Sequence, residues 1–368
     1  MSDTIFIAGA GQTRFGEHWD MNLKDLMAEA VAKAIEDAGC TALDIDTVIV
    51  GNMLGETLSG QAHLGALAAS LLPHRPPALR AEAACASGSV AIHTAVALLE
   101  SGRAETVLVI GAEKMTDATN EQVAAALMGA ADAELDSPSG LTFPGIFGLI
   151  ANRYMHEWNL SREKLNLVSA RHHRNAVQNP FAQFRTEIAP EKIGESPLVA
   201  DPLRLLDCSP VSDGAAAVVL STKLKSDVRL AASALATDAV SITERTSITS
   251  FAATREATAR ALDDAGIRIE DVSAIELHDC FSIAALISLE DMGLCAPGEG
   301  ISLYETETPL IINGSGGLKA CGHPVAATGV KQIADIRKHL MASKKRYGLA
   351  QNFGGACATC CIHILEHA

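Results

Sequence analysis

A cysteine stands among small residues in the segment "AEAACASGSV" (81–90). Cys85 precedes Ser87 and Gly88, where an apolar run that continues to Leu99 predicts the start of a helix. The first N–H groups of a helix are unpaired and carry partial positive charge, so they can lower the pKa of a cysteine below its usual value of about 8.5. The small neighbours would let a substrate reach the sulfur. The segment predicts a nucleophile; the alternative is a small, buried structural cysteine.

A histidine that could activate this thiol occurs in "NGSGGLKACGHPVAATG" (313–329). Pro324 follows His323 and prevents the next helix from beginning earlier. A cysteine nucleophile needs a base, and histidine is the usual one. His323 stands three residues before Ala326, which corresponds to Cys85 in a weak internal repeat. We therefore expect the two side chains to face each other, with a structural Gly-His-Pro turn as the alternative.

Polar residues follow a predicted strand in "IELHDCFS" (275–282). His278, Asp279 and Cys280 would lie where the strand meets a loop. Asp279 could orient a histidine, and Cys280 could act as a second acid/base. The alternative is a polar strand end in which the cysteine only fills space.

A glycine turn follows a later strand, in "QNFGGACATCC" (351–361). Its unpaired N–H groups could bind an oxyanion. On composition alone, a simple hairpin or bend explains the segment equally well.

These residues must be positioned by elements that occur twice. "AIEDAGCTALDIDTVIVGN" (34–52) aligns without a gap with "ALDDAGIRIEDVSAIELHD" (261–279), and each predicts a helix, a glycine C-cap, a short loop and a buried strand. In a weaker second repeat, Ser87-Gly88 and Thr328-Gly329 each open a helix that leads to a strand. Helix–strand units that recur in two halves indicate an α/β fold with a pseudo-twofold axis.

The stretch between the halves has a different composition, with acidic, helical and turn-rich segments. The predicted organisation is 1–114 as the first part of an N-terminal half, 115–205 as an inserted loop domain, 206–222 as the return strand of the N-terminal half, and 223–368 as the C-terminal half. We expect the inserted domain to project over the site.

Composition excludes several classes of function. A net charge of −15 argues against a nucleic-acid or anionic-membrane partner. We find no secretory signal and no apolar run long enough to span a membrane. Nine cysteines, an odd number, do not resemble a secreted disulfide framework, so a reducing cytoplasm is the simplest setting. "CATCC" (357–361) lacks a second pair at zinc-finger spacing, and no metal site is predicted.

Four motifs, in this order, resemble the thiolase superfamily over essentially the whole chain. They are "ACASGS" around Cys85, "HDCF" at 278–281, "CGHPVAATG" around His323, and "NFGGA" at 352–356. "HDCF" is typical of the sterol-carrier-protein-type branch, here in the short form of archaea and some bacteria; the ordinary branches have Asn-Glu-Ala-Phe there. The resemblance implies a five-layered αβαβα fold made of two pseudo-twofold-related, βαβ-rich halves with an inserted loop domain.

The resemblance also implies roles for individual residues. Cys85 would accept the acyl group from acyl-CoA, and His323 would activate it. His323 and His278 would bind the thioester oxygen of the second acyl-CoA, while Cys280 would remove its α-proton. The second oxyanion hole would consist of the backbone N–H groups of Cys85 and Gly354.

The position of the second cysteine and the need for a cofactor both bear on these roles. Ordinary thiolases carry the second cysteine in a C-terminal Cys-x-Gly motif, where this chain has Asn352. This departure supports the "HDCF" branch. The chemistry requires no metal and no tightly bound cofactor, because coenzyme A enters as substrate and leaves as product.

Substrate contacts are predicted in the inserted domain. "ARHHRN" (170–175) is its only concentration of positive charge, and we hypothesise that Arg171, His172, His173 or Arg174 lies near the nucleotide end of coenzyme A. The alternative is a solvated helix face. Phe143 and Phe147, in "SGLTFPGIFG", are candidate walls of the acyl pocket.

The predicted function is that of an acetyl-CoA C-acetyltransferase, with three alternatives. A decarboxylating or polyketide-type condensing enzyme would also use a cysteine and two histidines. A non-catalytic acyl-CoA-binding scaffold could keep the fold. A dinucleotide-binding oxidoreductase rests only on Gly9 and Gly11 in "IFIAGAGQTRFG", where Arg14 occupies the third glycine position of the fingerprint.

The resemblance further implies a homodimer or homotetramer and a place in the mevalonate route. Relatives of this branch often associate with a small OB-fold zinc protein and with hydroxymethylglutaryl-CoA synthase.

Overall fold

The computed structural model describes residues 4–367. Its strands are β1 (Phe6–Gln12), β2 (Thr47–Gly51), β3 (Ala78–Ala81), β4 (Thr106–Glu113), β5 (Leu198–Ala200), β6 (Leu203–Arg204), β7 (Gly214–Ser221), β8 (Val228–Thr237), β9 (Val272–Glu276), β10 (Ile311–Ile312), β11 (Tyr347–Gly354) and β12 (Thr359–His367). Its α-helices are α1 (Leu23–Ala38), α2 (Gly55–Ser59), α3 (Leu64–Ala69), α4 (Ser87–Glu100), α5 (Asn120–Leu127), α6 (Phe143–Trp158), α7 (Arg162–Ala176), α8 (Pro190–Gly194), α9 (Ala252–Ala265), α10 (Ser282–Asp291), α11 (Ser302–Glu305), α12 (Gly317–Cys321) and α13 (Ala327–Ser343).

Ten of these strands are arranged with the same order and directions in two halves. The strand order is β10-β9-β11-β12-β8-β1-β7-β4-β2-β3, which reads as two equivalent sets of five meeting at β8 and β1. In the first half β3, β2 and β4 are parallel, and β7 and β1 follow antiparallel. In the second half β10, β9 and β11 are parallel, and β12 and β8 follow antiparallel. This correspondence confirms the predicted pseudo-twofold relation.

The sequence repeat corresponds to a repeated local structure. Helices α1 and α9 end at Gly39 and Gly266, both in the left-handed region with φ of 61° and 66°. A short 3₁₀ turn follows each, and in each the aspartate accepts a hydrogen bond from a main-chain N–H three residues earlier: Asp44 from Thr41, and Asp271 from Arg268. Each turn leads into the next strand, as the sequence predicts.

Three buried clusters separate the layers. One lies between α1 and the first half-sheet, one between the half-sheets around α4 and α13, and one between the second half-sheet and α9 and α10. Helices and sheets therefore alternate as αβαβα, and the five-layered fold is confirmed. Gly9 and Gly11 lie on β1 against α1, where an added Cβ would collide with the helix backbone. Close strand–helix packing, rather than dinucleotide binding, accounts for this pair.

The two central helices meet at their N-termini, which brings the halves together at the site. A Cβ at Gly88 of α4 would collide with the carbonyl oxygen of Ala326, and one at Gly329 of α13 would collide with Ser89. Glycine is required at both positions because the helix backbones approach so closely. Whatever precedes each helix is thus placed near the other half.

The segment between β4 and β7 carries α5 to α8 and the β5–β6 hairpin. Its helix α6 contributes Ile146, Phe147 and Tyr154 to the core of the second half. The segment therefore crosses from the half in which it is inserted onto the other one. The domain boundaries given above remain a prediction. Across residues 4–367, no helix combines the length and apolar character needed to cross a membrane.

Candidate active site

Cys85 lies in a tight turn between β3 and α4. Ala84 adopts a positive φ of 51°, and Ala86 is the N-cap of α4. The hydroxyl of Ser87 accepts a hydrogen bond from the N–H of Ala83 at 2.9 Å and donates one to the carbonyl of Ala84 at 2.6 Å. Small residues are needed here because the turn folds back on itself. Cys85 as a residue is partly exposed.

The thiol is the resting form of Cys85. Burial of the sulfur raises its pKa to about 12, the Gly355 N–H opposes that rise, and the carboxylates of Glu113 and Glu82 add to it. The expected lowering by the helix N-terminus is not dominant. One reason is that the N–H groups of Ala86 and Ser87 already donate to carbonyls within the turn.

His278 and His323 reach this cysteine from the second half. His278 follows β9 and His323 precedes α13. Their ring centroids are 4.9 Å apart, with the ring planes at 85°. The Cys85 sulfur and one nitrogen of each histidine all lie within 4.8 Å of one another. The structure thus brings these three predicted residues together across the pseudo-twofold axis.

Each histidine is held through Nδ1. Asn352 donates from Nδ2 to His278 Nδ1 at 2.8 Å, which leaves the proton of the neutral His278 ring on Nε2. His323 Nδ1 is 2.7 Å from the hydroxyl oxygen of Thr328, which can donate or accept. Both Nε2 atoms are buried and have no hydrogen-bond partner. Two imidazole nitrogens therefore have free hydrogen-bonding capacity beside the thiol.

Both imidazoles are neutral at physiological pH. Burial lowers the pKa of His323 to about 3. Burial, and then the neighbouring His323, lowers the pKa of His278 well below its usual value. A neutral His278 with its proton on Nε2 can donate to a developing oxyanion, whereas His323 can accept a proton when Thr328 accepts from its Nδ1.

Cys280 is buried and lines the same cavity as Cys85. Burial, and then the nearby Cys85, raises the pKa of its thiol, while the positive charge of Lys319 lowers it. Lys319 is itself buried, and its Nζ donates to the carbonyls of Asp207 at 2.5 Å and Asp279 at 2.8 Å. The structure thus provides a cation that favours ionisation of the second thiol, a feature not predicted from the sequence.

Asp279 contacts a different histidine from the one expected. Its carboxylate accepts from His172 Nδ1 at 2.7 Å, from Asn313 Nδ2 at 2.8 Å and from the N–H of Leu318 at 2.8 Å. It contacts neither His278 nor His323 by hydrogen bond, so it fixes the loop that carries the "HDCF" motif. His172 is fully buried, which rules out a solvated face at this position and a direct contact with coenzyme A.

A cavity of about 570 Å³ opens onto the cysteines. Phe143 and Phe147 of α6 line it together with Cys85, Cys280 and His323. Its other lining side chains are largely apolar and include Met115, Val123, Leu127, Pro144, Phe184, Val199, Leu205, Val211, Phe281 and Val325. Phe147 is stacked on Phe281 with ring centroids 4.5 Å apart. The two phenylalanines thus line the cavity that opens onto the sulfur, and their role as walls of the acyl pocket remains a prediction.

Other predicted contacts are placed elsewhere. Arg171 donates to the carbonyls of Tyr304 and Thr306, and Arg174 forms an ion pair of 3.0 Å with Glu307. Neither arginine lines the cavity, and their role in binding coenzyme A remains a prediction that these contacts do not support.

The N–H group of the glycine turn that contacts the Cys85 sulfur belongs to Gly355, and Gly354 ends β11. The role of Gly354 as a donor of the second oxyanion hole remains a prediction. Asn352, on the same strand, is the residue whose role sequence reasoning missed. The available signal was its amide at the position where the resemblance implies a cysteine in ordinary thiolases.

The arrangement combines a sulfur nucleophile, two neutral imidazoles, a second thiol and backbone N–H groups beside an apolar cavity. Such a set can form and cleave a thioester, stabilise oxyanions and move a carbon-bound proton. The cysteine and the two histidines are also potential metal ligands.

Comparisons with known proteins agree with this geometry. Family models for the thiolase N-terminal domain and for the thiolase C-terminal domain-like region match residues 5–223 and 234–367. An acetyl-CoA acetyltransferase of Methanocaldococcus jannaschii is 40% identical over 388 residues, covering 98% of each chain. Sterol carrier protein 2 of Bos taurus is 32% identical and covers 92% of this chain and 67% of that protein. The structure of an acetyl-CoA acetyltransferase from Syntrophomonas wolfei superposes over 100% of both chains with a TM-score of 0.80, at 19% identity.

Proposed function

The chain belongs to the thiolase family, and we propose that it condenses two acetyl-CoA molecules into acetoacetyl-CoA, or runs the reverse thiolysis, through an acyl-cysteine intermediate. The family resemblance predicted from four motifs is confirmed, and so is the prediction that the chain is an acyltransferase enzyme. The observation that carries the proposal is the convergence of Cys85, His278 and His323, from opposite halves, beside a cavity that Cys85 and His323 line.

In the first half-reaction, Cys85 attacks the thioester carbonyl of acetyl-CoA. His323 accepts the thiol proton on Nε2 while its Nδ1–H donates to Thr328. Because the pKa of Cys85 is about 12 and that of His323 about 3, proton transfer accompanies the attack rather than preceding it. The tetrahedral oxyanion would receive the backbone N–H of Cys85 and an N–H of the glycine turn. The departing coenzyme A takes the proton of the Cys280 thiol and leaves as a free thiol, and the acetyl group remains on the Cys85 sulfur.

In the second half-reaction, Cys280, now a thiolate, removes the α-proton of another acetyl-CoA. The enolate oxygen accepts hydrogen bonds from the Nε2–H groups of His278 and His323. The Nε2 proton of His323 is the one taken from Cys85 in the first half-reaction, and His323 returns it to the Cys85 thiolate when the product forms. Lys319 assists by favouring the ionised form of Cys280. The carbanion then attacks the acetyl-Cys85 carbonyl, and Cys85 is released as the product forms. Coenzyme A takes part only as substrate and product.

The alternatives are less well supported. A decarboxylating enzyme generates its carbanion by losing CO2 and needs no α-proton base, yet a second thiol lies in the cavity. A non-catalytic scaffold has no need for two unpartnered imidazole nitrogens gathered beside a cysteine sulfur. The Methanocaldococcus jannaschii relative, named an acetyl-CoA acetyltransferase, also favours condensation.

Mass spectrometry after incubation with acetyl-CoA tests the first step. We expect an acetyl adduct on Cys85 that is absent from Cys85→Ala. Absence of the adduct from the unmodified enzyme would favour binding without catalysis.

Replacement of the second thiol tests the second step. We expect Cys280→Ala to keep the acetyl adduct on Cys85 and to lose condensation by about 10²-fold or more, the usual contribution of a general base. Cys295→Ala serves as the control, because Cys295 does not line the cavity. Full activity of Cys280→Ala, or dependence on malonyl-CoA, would favour the decarboxylating alternative.

The cellular setting forms the remaining part of the proposal. The nine cysteines are all free, which suits a reducing cytoplasm. Acetoacetyl-CoA would feed the mevalonate route, and the enzyme would act as a homodimer or homotetramer. An OB-fold zinc protein and hydroxymethylglutaryl-CoA synthase are the candidate partners. Co-expression with these partners, followed by size-exclusion chromatography, tests their association.

A further inference from the structure

Three atoms at the active site form a set that suits a soft divalent metal ion. The Cys85 sulfur and a nitrogen of His278 and of His323 all lie within 4.8 Å of one another. Thiolate and imidazole are the ligands that Zn²⁺ prefers. We propose that the free enzyme binds one Zn²⁺ at these three residues and that the metal-bound form cannot be acylated.

The geometry requires only a small closure. Tetrahedral Zn²⁺ places sulfur and nitrogen ligands about 3.3–3.6 Å apart. Rotation about the one torsion angle of the Cys85 side chain, which is partly exposed to the cavity, can bring its sulfur towards the two rings. The Nε2 atoms of both histidines are buried without a hydrogen-bond partner, so a metal displaces no existing contact there. The cavity offers a path of entry and room for a fourth ligand.

The residues behind the histidines determine the affinity. A histidine that binds metal through Nε2 carries its proton on Nδ1 and donates it to an acceptor. Thr328 can already accept from His323. His278 instead accepts from Asn352 Nδ2, so the amide of Asn352 must turn its oxygen towards the ring. That oxygen is buried and without a partner, and its rotation therefore breaks no other hydrogen bond.

Metal binding and acylation exclude each other because both use the same electron pair. On coordination the Cys85 S–H bond breaks, the proton passes to solvent, and the sulfur electron pair forms the Zn–S bond. No oxidation or reduction takes place. The inhibitory consequence rests on the proposed function, whereas the metal site itself does not.

Titration of the metal-free enzyme with Co²⁺ tests the site directly. We expect about one equivalent to produce the thiolate-to-metal charge-transfer band and the intense visible bands of a four-coordinate ion, and Zn²⁺ to abolish them. Cys85→Ala and His323→Gln should lose the charge-transfer band. Cys40→Ser and Cys295→Ser, which replace other partly exposed cysteines, should keep it. A band that persists in Cys85→Ala would overturn the proposal.

A substitution at Asn352 tests the role assigned to this residue in metal binding. An ionised aspartate is nearly the same size as asparagine and can only accept a hydrogen bond from His278 Nδ1–H, so we expect Asn352→Asp to bind Zn²⁺ about 10- to 100-fold more tightly. Equal or weaker affinity in a folded variant would overturn this mechanism.

Acetyl-CoA separates the two proposals. We expect pre-incubation with it to prevent the Co²⁺ band, and a chelator to restore activity to Zn²⁺-treated enzyme. Acetylation of Cys85 without any Co²⁺ band in the untreated enzyme would reject the metal site and keep the proposed function. A Co²⁺ band at Cys85 without acetylation of that residue would reject the proposed function and keep the metal site.

Discussion

The thiol of Cys85 experiences two opposing electrostatic effects. The helix that begins at Ser87 favours a thiolate, whereas burial and the carboxylates of Glu113 and Glu82 favour the neutral thiol. Burial is the largest effect, and Glu113 is itself held in the interior by the N–H groups of Met53 and Leu54. The free enzyme therefore keeps its nucleophile protonated until substrate arrives.

Alkylation kinetics check this protonation state. We expect the rate of Cys85 carbamidomethylation by iodoacetamide, with a chelator present, to keep rising with pH beyond 9, because the pKa is about 12. For an ordinary cysteine, the rate would level off above its pKa of about 8.5. Peptide mass spectrometry quantifies the modified Cys85. A rate that is constant between pH 6 and 8 would instead indicate a preformed thiolate–imidazolium pair.

Asn352 occupies the position of the cysteine found in ordinary thiolases and does different work here. Its amide holds His278 in the tautomer with a proton on Nε2, directed at the oxyanion position. Asn352 is thus a positioning residue, since it acts through His278.

Removal of the amide should impair the chemical step more than binding. We expect Asn352→Leu to lower kcat for condensation at least tenfold, with little change in KM. The loss should not exceed the roughly 10²–10³-fold reduction in kcat that follows removal of an oxyanion donor. Acetylation of Cys85 should persist, because it depends on His323. Steady-state kinetics and circular dichroism provide the measurements. A rise in KM at constant kcat would contradict the positioning role.

The crossing of α4 and α13 is the element that assembles the site. Both helices have a glycine in the first turn at the point of contact, Gly88 and Gly329, and each glycine faces the backbone or a polar side chain at the start of the other helix. Cys85 and His323 stand just before these helix starts. The separation of the helices thus controls the distance between nucleophile and base.

A single methyl group at this crossing should be costly. We expect Gly88→Ala to lower the free energy of unfolding by about 1–3 kcal/mol through overpacking and to reduce kcat, because the helices must separate. Gly129→Ala is the matched control, since its Cβ meets no atom within 4 Å, and it should change stability by less than about 1 kcal/mol. Urea denaturation measures both. Wild-type stability in Gly88→Ala would show that the crossing can relax.

The molecule as a whole buries several neutral histidines between its layers. His363 of β12 lies between the second half-sheet and α4, outside the site, and is fully buried. Burial, and then the nearby His93 of α4, lowers its pKa to about 3, and a main-chain contact with Ser89 opposes this. Packing two half-sheets around central helices removes such rings from contact with solvent.

This burial predicts a dependence of stability on pH. Between pH 3 and 6.5 the unfolded chain binds a proton at His363 and the folded chain does not, so the free energy of unfolding rises with pH by up to about 1.4 kcal/mol per unit and levels off above 6.5. We expect His363→Leu to reduce this slope by up to that amount. Chemical denaturation between pH 4.5 and 7.5 measures it. An unchanged slope would mean that His363 is protonated in the folded protein.

The amino-acid sequence was sufficient for the fold and for the identity of the clustered residues. The gapless repeat encodes the same helix, cap, turn and strand twice, and these depend on neighbours only a few positions away. The motifs around Cys85 and His323 fall where the repeated helices begin, so their meeting follows from the symmetry.

The tertiary structure alone determined the partners and the protonation of these residues. Asp279 binds His172, 107 positions away, and Arg174 binds Glu307, 133 positions away. The pKa of Cys85 rises rather than falls because the groups that surround the sulfur come from distant parts of the chain. Desolvation and charge–charge interaction depend on distance in space, and local sequence patterns carry no information about that distance.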